Sequence, residues 1–162
     1  MSHDRSLAEP AFPGDDGRVD PDLASVVDDP VETLGRLGAA RVFVPIVALA
    51  GDVPTDGDKD AEMAAVLLTG ADGRTALLAF RSVATMAAWN TGARPVPVYG
   101  QAAARSAIAE GASAMVLDLG SRGSLVVETD DLEHIAAGDR LVRTDRGTAW
   151  VRATSPTDEG AP

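Results

Sequence analysis

Two apolar runs suited to β-structure, EMAAVLLT (residues 62–69) and TALLAF (residues 75–80), stand on either side of GADGR. A short loop built on Gly and Asp-Gly between two such runs sets an antiparallel hairpin. A hairpin in the middle of the chain commits the fold to a sheet, around which everything else must pack.

The flanking segments alternate between capped helices and extended runs without a strict βαβ order. Asp20-Pro21 and Asp29-Pro30, the latter followed by Glu32, each read as an N-cap with proline at the first helical position. Leu23, Val26, Val27, Val31, Leu34 and Leu37 form a stripe at intervals of three and four, and Gly38 ends it. RVFVPIVALA (residues 41–50) is apolar at both parities, as in a strand covered on both faces, but Pro45 lacks an N–H and points to an edge or a bulge. Ser82 caps a helix that runs to Trp89, ARPVPVYG is extended, and QAAARSAIAEG is a helix stopped by Gly111. SAMVLDL and SLVVET follow around GSRG, then a helix opened by Asp130 and Glu133 and closed by Gly138, then a last hairpin, RLVRT with TAWVRA.

Hairpins mixed with helices in this order predict an α+β fold: a mixed, largely antiparallel sheet with helices mainly on one face, in a single domain. The chain has 162 residues, enough for one core. Residues 1–19 and 154–162 lack apolar periodicity and are expected as disordered tails, leaving 20–153 as the folded body. Val44, Ile46, Val66, Leu68, Leu77, Phe80, Val116, Leu117 and Val126 are the expected core, and the acidic loop from Gly51 to Asp60 is expected to be exposed.

Several function classes fall away on composition. A formal charge of −11 and 4% aromatic residues speak against nucleic acid and anionic membrane surfaces as partners. The chain has no cysteine, which removes thiolate catalysis, thiolate metal sites and disulfides together. Residues 1–22 carry no basic region followed by an apolar run, and the longest apolar stretch is far below the roughly 20 residues of a membrane span. A cytoplasmic protein is the expectation.

Specific chemistry finds little support. Asp56, Asp58 and Asp60 alternate like the first ligands of an EF-hand loop, but Ala61 replaces the turn glycine and Leu67 the closing glutamate. No metal site is expected there. His3 falls in the tail and His134 on a surface helix, and GASAM lacks the final glycine of a nucleophile elbow. GSRGS has neither the lysine of a P-loop nor a dinucleotide fingerprint. Paired carboxylates such as Asp118 with Glu110 follow no spacing rule and stay open. No catalytic residue and no cofactor are assigned.

An ordered set of segments carries a resemblance: DKDAEMA (58–64), the hairpin with Gly73 and Arg74, AFRS (79–82), Trp89, ARPVP (93–97), AEG (109–111) and VLD (116–118). In that order and spacing the chain resembles the SseB-family N-terminal domain of actinobacterial type, over about Leu34 to Thr129. The resemblance implies a serine-sensitivity phenotype and no established reaction. Leu78 stands where the family pattern has proline, and LDLGSRG stands where LDPAGP is expected.

Together these readings point to a non-catalytic binding or adaptor domain that presents Lys59, Glu62, Met63, Trp89, Arg94 and Pro95 to a protein partner. The alternative is a small-molecule sensor, or an enzyme using acidic pocket residues, with an amino acid as ligand. Self-association through an uncovered sheet edge, giving a homo-oligomer, is a third reading.

Overall fold

The computed structural model describes residues 11–48 and 63–153. Two short helices open the domain, α1 (Pro21–Ala24) and α2 (Pro30–Leu37), each with the aspartate before its proline accepting from first-turn N–H groups. Strand β1 (Arg41–Ala48) follows, then β2 (Met63–Ala65), β3 (Leu67–Thr69) and β4 (Thr75–Ala79). The chain continues through α3 (Val83–Trp89), β5 (Arg94–Tyr99), α4 (Gly100–Ala109), β6 (Ala114–Leu117), β7 (Leu125–Glu128), α5 (Thr129–Ala137), β8 (Arg140–Thr144) and β9 (Gly147–Val151).

The α+β architecture matches the sequence reading. Strands order as β2-β1-β5 and as β3-β4-β6-β7, with β4 and β6 parallel and every other named pair antiparallel. The two sheets meet at a three-way junction. The β2–β3 segment pairs first with β1 and then with β4, Val66 C=O accepts from Leu78 N–H, and Phe43 exchanges both backbone hydrogen bonds with Phe80 at 2.7 and 2.8 Å. That exchange turns the polar groups of Phe43 away from β5, and those of Pro45 two residues on turn the same way. Pro45 faces Pro95, and Phe43 faces Pro97. All three prolines therefore occupy non-hydrogen-bonded pairs between β1 and β5, and β1 needs no bulge there.

The main core lies between the sheets and α1, α2, α4 and α5. Leu23, Leu37, Val42, Leu77, Met115, Leu117, Val127, Leu132 and Ile135 are its fully or almost fully buried members. Small side chains let α4 approach closely: Ala103, Ala104 and Ala107 are buried, and a Cβ on Gly100 would stand 1.9 Å from the Leu37 carbonyl oxygen. Among the described residues the opposite face carries α3 alone, where Leu78, Phe80 and Met86 form a smaller cluster with Trp89 and Val116 at its margin.

Four sequence expectations change. Val126, expected in the core, is 52% exposed. It pairs with Val116 on the α3 side of terminal strand β7, where the seven-residue α3 leaves it uncovered. Ile46, Val66, Leu68 and Val116 are half-buried rather than buried. Helix α5 begins at Thr129 after Glu128, with no side-chain cap, so Asp130 and Glu133 lie inside it. Residues 11–19, expected within a loose tail, run against the domain: Gly17 C=O accepts from Val83 N–H at 2.9 Å, and Asp15 pairs with Arg41 at 2.9 Å. The Gly51–Asp60 loop lies outside the described residues. No described helix is long and apolar enough to cross a membrane.

Candidate functional site

Two buried arginines organise the junction between the sheet and α3. Arg41 follows α2 at the start of β1, and its guanidinium lies 4.2 Å from the Phe43 ring centroid. Its Nη1 donates to Arg81 C=O at 3.0 Å, its Nη2 donates to Arg18 C=O, and its Nε meets Asp15. A buried cation is tolerated only when its donors are met, and the segment before α1 supplies two of these three acceptors.

Arg81, two residues past β4, pairs with Asp118, which follows β6. Arg81 N–H donates to Asp118 Oδ1 at 2.7 Å and Nη1 to Oδ2 at 3.0 Å, with both side chains 3% exposed. Nη1 also donates to Gly123 C=O at 3.1 Å. Arg81 Nε is buried with no acceptor among the described residues. Asp118 takes a positive φ of 53°, a region entered at a cost by residues other than Gly, Asn and Asp. That backbone turn aims its carboxylate at Arg81 while its N–H still bonds Ala79 C=O at 2.9 Å.

Helix α3 is set on this pair. Ser82 Oγ accepts from Thr85 N–H at 3.1 Å, as the sequence indicated, and the Thr85 hydroxyl stands 3.1 Å from Asp118 Oδ1 and 3.0 Å from Ser82 C=O. The helix thereby brings Thr85, Ala88 and Trp89 opposite Leu119, Gly120 and Ser121, forming a cleft of about 380 Å³. Phe80 backs the Trp89 ring at 5.5 Å between centroids. Both Asp118 oxygens already accept from Arg81 or Thr85, so the pair is an anchor for the cleft wall rather than a free base.

Of the sequence-derived contact residues, Trp89 lines this cleft. Lys59 and Glu62 lie outside the described residues. Trp89 ends α3, and the turn through Asn90 and Ala93 leads directly to exposed Arg94 and Pro95; Ala93 packs in the same cluster as Trp89. Met63 begins β2, at the end of the sheet where Arg94, Ile46 and Ala65 share one cross-strand row. Glu110 caps the C-terminus of α4 and makes no ion pair with Arg94 among the described residues.

Sequence reasoning left Arg81 and Thr85 without a role and set Asp118 beside Glu110. AFRS and VLD were visible as segments, but a pair 37 positions apart leaves no periodic trace. His134 does have an oriented partner: Nδ1 stands 2.8 Å from Asp139 Oδ2, and this hydrogen bond is the main cause holding the Asp139 carboxyl below its ordinary pKa. No serine or threonine hydroxyl bonds that histidine among the described residues, so no nucleophile accompanies it. Nor do three His, Cys, Asp or Glu gather there as metal ligands, among the described residues.

A family model described as the SseB protein N-terminal domain matches residues 23–134. Comparison with curated proteins and with solved structures returns no match. The match runs from the end of α1 through most of α5, including both arginines, Asp118 and the cleft, and stops before the β8–β9 hairpin. On that extent of agreement the chain belongs to the SseB family, as a protein built on its N-terminal domain.

Proposed function

We propose that the chain is a non-catalytic, cytoplasmic protein-binding or adaptor domain, and that its contact surface is the α3 side of the sheet. The observation that carries this reading is the unequal covering of the two faces. Among the described residues, several helices bury one face, whereas α3 is the only helix on the other and Val126 stays exposed there beside half-buried Val116. Exposed apolar area beside an aromatic-walled cleft is where partner contacts concentrate. Trp89, Arg94, Pro95 and Met63 border this surface or its neighbouring strand ends, and Lys59 and Glu62 remain part of the proposed contact set.

The test is quantitative affinity capture with the wild-type chain and with Val126→Lys, Ala88→Glu and Arg94→Glu. The reading expects the same proteins to be lost from all three variants while their thermal unfolding stays close to wild type. Undiminished capture by all three would refute the surface.

A second reading has the cleft itself in its favour, since about 380 Å³ falls in the size range of small-ligand sites. There the chain is a sensor for a small polar molecule such as an amino acid, with the Thr85 and Ser121 hydroxyls at the rim and Trp89 as the flat wall. A ligand at 100 times its dissociation constant stabilises by about 2.7 kcal/mol. Thermal shift against the amino acids separates the readings: a shift abolished by Ser121→Ala favours the sensor, and a flat panel retires it.

A further inference from the structure

The β8–β9 hairpin is joined to the domain differently from every other strand pair. None of its residues is buried; Leu141, Val142 and Trp150 are half-buried and the others exposed. It pairs with neither of the other sheets. An isolated two-stranded hairpin is marginal in water, so its order depends on the surface beneath it.

That surface is formed by α2 and α5. Leu141 lies over Gly35, its Cβ 3.5 Å from where a glycine Cβ would stand. Trp150 stacks on His134 with centroids 5.2 Å apart and planes within 9°, and its Nε1 donates to Asp131 at 2.9 Å. Arg143 donates through Nη2 to both oxygens of Asp29, at 3.0 and 2.9 Å, and through Nε to Glu32 at 3.1 Å. Glu32 is shared with Arg36 at 3.5 Å. Asp139 holds the two ends together: one oxygen meets His134, and the other accepts from Ala153 N–H at 3.3 Å. Between hairpin and helices runs a groove of about 270 Å³, lined by Leu34, Gly35, Gly38, Ile135 and Trp150 among others.

We propose that the β8–β9 hairpin is a strap that lifts from α2 and α5 as one unit and uncovers this groove, with Arg143 as its latch. Beside the Leu141 contact and the Trp150 stack, the hairpin is held by ionic contacts at solvent-accessible positions, with the Arg143 side chain 54% exposed and that of Asp29 44%. Salt weakens such contacts, whereas it leaves the apolar core intact. Gly138, with a φ of 79°, ends α5 immediately before the strap and provides the turn at which it departs. The family match also ends at residue 134, ahead of the strap. Weakly attached elements of this kind open below the free energy of global unfolding. Opening exposes Leu34 and the edge of Ile135, giving the α2–α5 side an apolar stripe that the closed form conceals.

Hydrogen exchange read by mass spectrometry on the full chain tests this. Amides of residues 140–151 should exchange about tenfold faster or more in Arg143→Glu than in wild type, while those of β4 and β6 keep their rates. Wild type in about 0.5 M NaCl, where the screening length is only a few ångströms, should show the same selective acceleration. Adding Glu32→Arg to Arg143→Glu, which restores one of the two lost pairings, should slow the hairpin part of the way back. Hairpin amides that stay at the wild-type rate, or that accelerate only in step with β4 and β6, would overturn the proposal. Should Arg143→Glu fail to fold, the salt series on the unaltered chain gives the same two-way reading.

Discussion

Arg81 Nη1 and Asp118 Oδ2 lie 3.0 Å apart at a place where both side chains are 3% exposed, and the Arg81 backbone N–H closes on the other Asp118 oxygen at 2.7 Å. One carboxylate thus fixes the end of β4, the start of α3 and the exit of β6. The cleft beside Trp89 inherits its shape from this contact.

Removing the charge of Asp118 should therefore cost far more than an ordinary surface change. Asn tolerates a positive φ as Asp does, so Asp118→Asn isolates the electrostatic loss and leaves Arg81 as an unneutralised buried cation. Breaking a buried pair from one side costs about 3–5 kcal/mol. Urea unfolding of the variant should show a loss of about 3 kcal/mol or more, with an unchanged slope.

Adjacent valines should respond in opposite ways. Val126 is 52% exposed and Val127 is fully buried, although the two are neighbours in one strand. Val126→Thr should stay within about 0.5 kcal/mol of wild type, as surface changes do. Val127→Ala, which removes two methyl groups and leaves a void, should cost about 2–3 kcal/mol. Equal losses in chemical denaturation would contradict the assignment of faces.

Gly100→Ala should prevent stable folding. The added Cβ would meet the Leu37 carbonyl oxygen at 1.9 Å and its carbon at 2.7 Å, and neither backbone atom can move without separating α2 from α4. A cost beyond the usual 1–3 kcal/mol of overpacking is expected, visible as loss of a cooperative thermal transition.

Acid should loosen the α2 end of the molecule first. The backbone hydrogen bond from Glu32 is the largest cause holding the Asp29 carboxyl below its ordinary pKa; desolvation opposes it, and the charge of Arg143 and the backbone hydrogen bond from Val31 add to the lowering. A depressed folded-state value means that the stabilisation is complete above the unfolded-state pKa and is lost as pH falls through the folded one. The window therefore opens below about pH 4. Asp29→Asn keeps a capping acceptor without the charge, so its thermal stability should vary less than that of wild type between about pH 4 and 2.

What could be read from the sequence is what local rules govern. The GADGR hairpin, the Ser82 cap, the proline-started α1 and α2, and the Gly138 stop each depend on a few adjacent residues, and each is found. Val126 was misplaced because Val126 and Val127 are both apolar, and only the partner helix decides which face is covered. Residues 11–19 look like a tail in composition, yet the unmet donors of Arg41 draw Asp15 and Arg18 onto the domain. The Arg81–Asp118 pair was invisible because nothing local couples its members. Of the candidate contacts, Trp89 and Arg94 were adjacent enough in sequence for their proximity to be anticipated, while the Arg94–Ile46–Ala65 row required the sheet register.

The prolines of β5 have one further effect. Because Pro95 and Pro97 face β1 in non-hydrogen-bonded pairs, their ring nitrogens point outward along the flank of that strand that no described strand covers, where Tyr99 supplies the remaining N–H of the same parity. An extended segment approaching that flank finds two of its three donors missing, and fibril-like growth by strand addition is refused there. Concentrated solutions of the protein are thus guarded on one margin by the same residues that let β1 carry Pro45 without a defect.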